Sequence, residues 1–278
     1  MLFEPAKGSH SLVEVIFFAQ FTPPLQEGAL KRATKGTTTL IDLLPNRKIF
    51  EAVTLNLTEE GDGGFVEGPG GAQFTSVDEN DETLWLLKVD ENELSIHCLD
   101  YTRWDEVWPK FRTLLFEALD AIGQGSSVST VGFKNLDAYR MNGEREDYRI
   151  DQLLDENSPH LAKSIVNNHD YLWHCHTGWY GPWTDFGSRL EKVRVLNQIN
   201  TSSGFQPSPE GKRIEVVIDH TQIVRRPDSE SIGISAKDAD WLDALMKYLH
   251  EQNKVILDQL LCSKMSKLIA LNAELGSA

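Results

Sequence analysis

Residues 169 to 183 carry more potential chemistry than any other stretch of this chain. They read His169-Asp170-Tyr171-Leu172-Trp173-His174-Cys175-His176-Thr177-Gly178-Trp179-Tyr180-Gly181-Pro182-Trp183. Along a strand, side chains alternate between faces, so His174 and His176 share one face while Trp173, Cys175 and Trp179 take the other. Two same-face imidazoles can both reach one ion, and zinc accepts imidazole nitrogen readily. A third ligand is still needed. Asp170 shares the parity of the two histidines, His169 sits at the strand start, and Asp219 with His220 lies on another expected strand that could pair nearby. Spacing demands none of them, and histidines that line a polar sheet face or cap aromatic packing are the simpler reading.

The aromatic residues point to recognition. Trp179, Tyr180 and Trp183 sit among Gly178, Gly181 and Pro182, a composition that predicts a turn exposing large rings to a base, a sugar or a partner protein. Trp173 reads as core. Cys175 has no paired base and reads as a buried thiol rather than a nucleophile. Carboxylates at Glu14, Asp100, Asp105 and Asp219 fall near element ends, but spacing converges no two of them on one site.

The 278 residues suffice for one large domain or two ordinary ones, and 40% hydrophobic with 25% charged residues is ordinary globular usage. A formal net charge of -15 argues against sequence-independent attraction to nucleic acid or anionic lipid, which needs clustered Lys and Arg. A protein partner is therefore expected, with imitation of nucleic acid by the acidic surface as a further class, and a homodimer is the default assembly. Cys98, Cys175 and Cys262 are odd in number, far apart and without a Cys-x-x-Cys spacing, so neither a disulfide framework nor a cysteine zinc site is expected. Met1 to Pro5 lacks the basic start of a secretion signal, and no apolar run approaches the roughly 20 residues of a membrane helix. These features together predict a cytoplasmic setting.

The elements that must position these residues follow from hydrophobic period. Leu12 to Phe21 reads as a buried strand stopped at Thr22-Pro23-Pro24, with Glu14 on its solvent side. Leu25 to Leu44 is a weakly helical region. Ala52 to Leu57 and Gln73 to Val77 read as strands, and the glycine-dense stretch between them as a flexible connection that lacks the pattern of a phosphate cradle. Leu84 to Val89 and Leu94 to Leu99 form a hairpin around Asp90-Glu91-Asn92-Glu93. Apolar residues three and four apart from Trp104 to Ile122 predict a helix, with a short first turn near Trp104 and the main body starting close to Pro109. Thr130 to Tyr139 is a strand. The charged stretch from Met141 to Asn168 predicts the boundary between residues 1-142 and 143-278.

Tyr171–Tyr180, Val193–Ile199 and Arg213–Val224 then read as strands. Ser235-Ala236-Lys237-Asp238 starts a final helix whose buried face carries Trp241, Leu242, Leu245, Met246, Leu249, Ile256 and Leu260. The expected fold is α+β, with two similar units of mainly antiparallel sheet, each bearing a long amphipathic helix.

Several landmarks in this order resemble a sporadically distributed family of uncharacterised bacterial proteins, nearly end to end. They are His10-Ser11-Leu12-Val13-Glu14-Val15-Ile16, Tyr101-Thr102-Arg103-Trp104-Asp105, Val216-Val217-Ile218-Asp219 and Leu249-His250. The family's arginine-tyrosine pair would fall near Lys134 and Asn135, where this chain departs from it, and His174-Cys175-His176 is not a family motif. The resemblance implies the architecture and a bacterial cytoplasmic setting, and names no reaction. The reading is a binding or assembly protein rather than an enzyme, needing no cofactor and using Trp179, Tyr180, Trp183, His174 and His176 as its surface. The alternative is a metal-dependent hydrolase in which His174 and His176 hold zinc, completed by Asp219 or His169.

Overall fold

Period-two alternation in ten segments of the chain produces one antiparallel sheet. The computed structural model describes residues 1–57, 63–123, 127–166, 170–187, 190–208, 211–225, 232, 234 and 239–271. The strands are β1 (Phe3–Pro5), β2 (Leu12–Phe21), β3 (Asn46–Leu57), β4 (Gly63–Val77), β5 (Thr83–Val89), β6 (Glu93–Cys98), β7 (Val128–Met141), β8 (Trp173–Thr184), β9 (Val193–Ser208) and β10 (Gly211–Arg225). In space they run β3-β4-β5-β6-β2-β7-β10-β9-β8, and β1 joins β7. The helices are α1 (Glu27–Lys35), α2 (Thr38–Leu43), α3 (Trp104–Ile122), α4 (Lys163–Val166), α5 (Asp240–Leu260) and α6 (Ser263–Leu268). The mixed α and β character expected from sequence is observed. The sheet runs unbroken from one part of the chain to the other, because β7 pairs with β2 on one side and with β10 on the other, from Glu215↔Arg140 to Arg225↔Thr130.

One face of the sheet is covered by the long helices. Val15, Phe17 and Ala19 of β2, Leu94 and Ile96 of β6, and Phe111, Leu114 and Leu115 of α3 belong to one buried apolar cluster, which also takes in Trp241 to Leu249 of α5. A second cluster joins Phe3, Tyr139, Val216 and Ile218 to Ile256, Leu257 and Leu260 of α5. Each large side chain so buried contributes about 1.5–3 kcal/mol relative to exposure.

Three local expectations are corrected. First, α3 runs unbroken through Pro109. Pro109 lies on the exposed side, as does Asp105 one turn earlier, so the carbonyl left without a donor faces water and no kink is needed. Second, the glycine-dense stretch is strand from Gly63 onward, laddered to β3 with a register shift between Phe50 and Glu51. Gly71 has φ of 146, and a Cβ there would lie 2.4 Å from the Val89 carbonyl oxygen. Only glycine lets the two backbones approach so closely. Third, Trp179, Tyr180 and Trp183 lie within β8 rather than in a turn, with an irregularity between Tyr180 and Trp183. The charged stretch after Met141 packs onto the sheet. Its short helical turns at Arg145–Asp147 and Ile150–Gln152 bring Tyr148, Ile150, Leu153 and Leu154 into the second cluster. The expected helix start at Ser235 to Asp238 lies outside the described residues.

Candidate functional site

Strand parity divides the residues singled out in β8 between the two faces of the sheet. His174, His176 and Tyr180 alternate outward and are exposed, whereas Trp173, Cys175 and Trp179 turn toward the helices. Trp173 is buried and its Nε1 donates to the Tyr148 hydroxyl at 2.7 Å. Cys175 is half-buried rather than fully enclosed. Trp179 stacks on His160, centroids 4.5 Å apart. It therefore lies on the opposite face from Tyr180, which removes it from the outward surface proposed for it.

Tyr180 and Trp183 are held together by Arg194. Its guanidinium lies 5.1 Å from the Tyr180 centroid and 5.7 Å from that of Trp183, while its Nε and Nη2 donate to the carbonyls of Gly181 at 2.8 Å and Tyr180 at 3.1 Å. Carbonyl bonds fix the cation, and the cation fixes the rings by attraction to their negative faces. A shallow depression of about 300 Å³ adjoins this group, bounded also by Lys192, Leu196, Ile223 and Arg225. In a chain of net charge -15, three cations and two rings gathered on one spot make a local exception.

The residues offered as metal ligands do not converge. Asp219 is separated from His176 by strand β9, since Asn200 pairs with both, which places the two roughly 10 Å apart across the sheet. The Asp219 carboxylate accepts from Lys134 Nζ at 2.6 Å and from the Thr221 hydroxyl at 3.2 Å. His169 lies outside the described residues. Among the described residues no three His, Cys, Asp or Glu side chains are grouped so as to hold a metal ion. His174 and His176 share a face, as strand parity requires, and among the described residues no third ligand joins them.

A polar band, not anticipated from the sequence, crosses the buried face between the two apolar clusters. Asn135 and Asp137 of β7, His220 and Gln222 of β10, Asn197 of β9, and His250 and Asn253 of α5 are all buried. The register aligns them, with His220 opposite Asn135 and Gln222 opposite Asn197. His220 spans the band, Nδ1 lying 2.7 Å from Asn253 Oδ1 and Nε2 lying 3.3 Å from Asn197 Oδ1. Burial pushes its pKa down to about 4, so at neutral pH it is an uncharged ring that donates from one nitrogen and accepts at the other. One of the two carboxamides must then present its amino group. Asp137 accepts a 2.6 Å bond from Ser11, whose hydroxyl accepts from Tyr139 at 2.9 Å. Burial nevertheless drives the Asp137 carboxyl up to about 6.

At one end the band opens into a cleft of about 750 Å³ bordered by Asp137, Asn253 and His250. Three of the four sequence landmarks meet there, through His10 and Ser11, Tyr101 to Asp105, and His250. Trp104 stacks on His250 at 4.2 Å and on Trp108 at 5.6 Å, which fixes the α3 side of the opening. A signal for this band was present in the sequence. The apolar stripe of α5 skips from Leu249 to Ile256, and the position between them on the same face is Asn253.

No protein-family model matches the chain, and no curated protein matches it either. Among solved structures, the chain is similar to the di-domain ARO/CYC StfQ from the steffimycin biosynthetic pathway, at 12% identity over 95% of this chain and 99% of that one, with a TM-score of 0.20. It is also similar to an uncharacterised protein from Mycobacterium tuberculosis, at 6% identity over 69% of this chain and 53% of that one, with a TM-score of 0.18. At such scores neither likeness bears on fold or function. Among the described residues no helix is long and apolar enough to cross a membrane.

Proposed function

We propose that this chain is a non-enzymatic binding protein that engages an acidic segment of a partner protein through the outer face of β8 and β9. The observation that carries the reading is the pair Tyr180 and Trp183, 57% and 65% exposed yet ordered by the Arg194 guanidinium. Large rings left in water but already fixed in place lose little entropy on contact, and an aromatic-arginine group is the usual composition of an energetic centre in an interface. Lys192 and Arg225 beside it favour an anionic partner. His174 and His176 extend the same face toward the other end of β8. The order of sheet strands followed by a long helix, in residues 1-142 and again in 143-278, supports reading the molecule as two similar units that share one sheet, with the second unit carrying the contact surface.

The test is titration of the full chain with a glutamate-rich peptide bearing leucine side chains, at low and high salt, beside Trp183→Ala and Arg194→Ala. Each substitution is expected to weaken binding by about tenfold or more, and added salt to weaken it further. Equal affinity in the parent and both variants would sink this reading.

A further inference from the structure

The polar band ends, on the side away from the large cleft, in a smaller one of about 160 Å³ between α5 and the inward face of β8 to β10. Its composition is unusual for this chain. Four carboxamides line it, from Asn197, Gln222, Gln252 and Gln259, together with the Trp179 and His160 rings. Among the described residues that line it there is no Asp, Glu, Lys or Arg, although a quarter of the whole sequence is charged.

Gln222 is the residue that points to a ligand. It is fully buried, and among the described residues neither its Nε2 nor its Oε1 has a hydrogen-bond partner. Buried polar atoms are almost always paired, because leaving one unsatisfied forfeits its hydration without return. Here one side chain of the cleft wall leaves a donor and an adjacent acceptor unused, side by side; both atoms are covered in the ligand-free protein, so a ligand edge meets them once the carboxamide turns toward the opening. Asn197 next to it is already engaged with His220, so it does not relieve Gln222. The wall is aromatic: His160 stacks on Trp179, and His160 Nε2 lies 2.8 Å from Gln259 Oε1.

We propose that this cleft binds a small neutral heterocycle with adjacent donor and acceptor atoms, a nucleobase or its chemical equivalent, with its edge on the Gln222 carboxamide and its face beside Trp179 and His160. A glutamine pairs through two bonds with such an edge, as it does with adenine in a groove, and bases stack readily on tryptophan and histidine rings. The volume suits one ring system rather than a drug-sized molecule. The absence of cations among the described lining residues leaves nothing to hold a phosphate, so the ring itself must supply the recognition. This site lies on the opposite face of the sheet from the Tyr180 surface and stands independently of the partner-binding reading.

The experiment is calorimetric titration of the full chain with adenosine, guanosine, cytidine and uridine, with ribose as the ring-free control, and with a single-stranded oligonucleotide of mixed sequence. At least one nucleoside is expected to bind and ribose is not. Gln222→Met, which keeps the volume and removes the paired atoms, is expected to weaken nucleoside binding by about tenfold or more. Nucleoside binding with the oligonucleotide excluded identifies the free ring as the ligand. Oligonucleotide binding that is lost in Gln222→Met identifies the same ring within a strand, whereas oligonucleotide binding kept in that variant overturns the proposal. It is also overturned if no nucleoside binds at millimolar concentration, if ribose binds as well as any nucleoside, or if a folded Gln222→Met keeps full affinity. Should Gln222→Met fail to fold, His160→Ala removes the stacking wall from the rim, and unchanged affinity there has the same meaning.

Discussion

Helices α3 and α5 lie on the same face of one sheet, but they bury opposite kinds of surface at their centres. From Val107 to Ile122, α3 presents an unbroken apolar stripe to Phe17, Trp85 and Ile96. Over its middle turns α5 presents His250 and Asn253, and the strands beneath answer with Asp137, His220, Gln222 and Asn197. Both arrangements fold, so polarity under α5 is not needed to build a helix on a sheet. Replacing hydrogen-bonded polar residues by apolar ones of similar shape is often neutral or stabilising, so stability alone does not account for the polar band, whereas the ligand site proposed above would. The contrast separates a dry region that holds the molecule together from a polar one to which the proposal assigns a ligand.

The largest effect should come from breaking the dry region. Phe111 is buried against Trp85, with ring centroids 5.1 Å apart. Phe111→Ala is expected to cost about 3–5 kcal/mol through lost transfer energy and the cavity left behind, read as a shift in the urea midpoint. A loss below about 1 kcal/mol would mean that the α3 interface is not the tightly packed one, and the contrast between the helices would fail.

The polar band can be separated from the dry region by its response to pH. The folded value for Asp137, about 6, exceeds its ordinary 3.8. Its contribution to stability is therefore full below pH 4 and lost as the pH rises to 6, by about 3 kcal/mol. His220 behaves in the opposite sense. Its folded value, about 4, falls below the ordinary 6.5, so its contribution is full above pH 6.5 and lost as the pH falls toward 4, by a similar amount. Over one window the two offset each other, and single substitutions should expose each in turn. Relative to the parent, Asp137→Asn should gain about 3 kcal/mol between pH 4 and pH 7, while His220→Gln should be favoured at pH 4 and lose that advantage by pH 7. Denaturant unfolding across the range checks both. Differences that do not vary with pH would show that these groups are hydrated in the folded protein.

How much of this contrast could be read from the chain depends on whether the signal was local. Period-four spacing placed α3 and α5, and period-two alternation in β8 placed His174 and His176 on one face with Trp173 and Cys175 on the other, because both periods depend only on backbone geometry. The exposed aromatic patch was half legible. Tyr180 and Trp183 were singled out, but Trp179 was grouped with them because Gly181 and Pro182 suggested a turn, where parity means nothing, whereas the backbone continues as strand through both. Arg194, which orders the patch, is reached only through the β8–β9 register. Apart from Asn253 in the α5 stripe, the polar band was illegible for the same reason. Asn135, Asp137, Asn197, His220 and Gln222 come from three strands, and each looks like an ordinary polar residue until pairing brings them side by side. Pairing between strands far apart in sequence is fixed by the assembled sheet, not by any one segment.

Within the band, Gln222 offers a finer division between stability and binding. With no partner for either side-chain atom among the described residues, it contributes desolvation cost without a return bond, so Gln222→Met is expected to leave stability unchanged or raise it by about 1 kcal/mol. A thermal melt of ligand-free protein reads this. If the variant instead loses 2 kcal/mol or more, the carboxamide is satisfied in solution, and the band is structural where it meets the small cleft.

The smallest expected effect lies on the outward face. His174 and His176 are exposed on a terminal strand, and surface substitutions away from caps and networks usually change stability by less than about 0.5 kcal/mol. The His174→Ala/His176→Ala double variant should therefore melt with the parent. The informative arm is the same melt with zinc added. Two imidazoles without a third protein ligand bind zinc weakly compared with a closed site, so zinc should shift the parent and the double variant alike. A zinc-dependent rise in melting temperature that disappears in the double variant would mean that a third ligand reaches the pair, Asp170 and His169 being the nearest candidates along the chain. The outward face would then hold a metal centre as well as an aromatic patch, and hydrolysis would become the next reaction to assay.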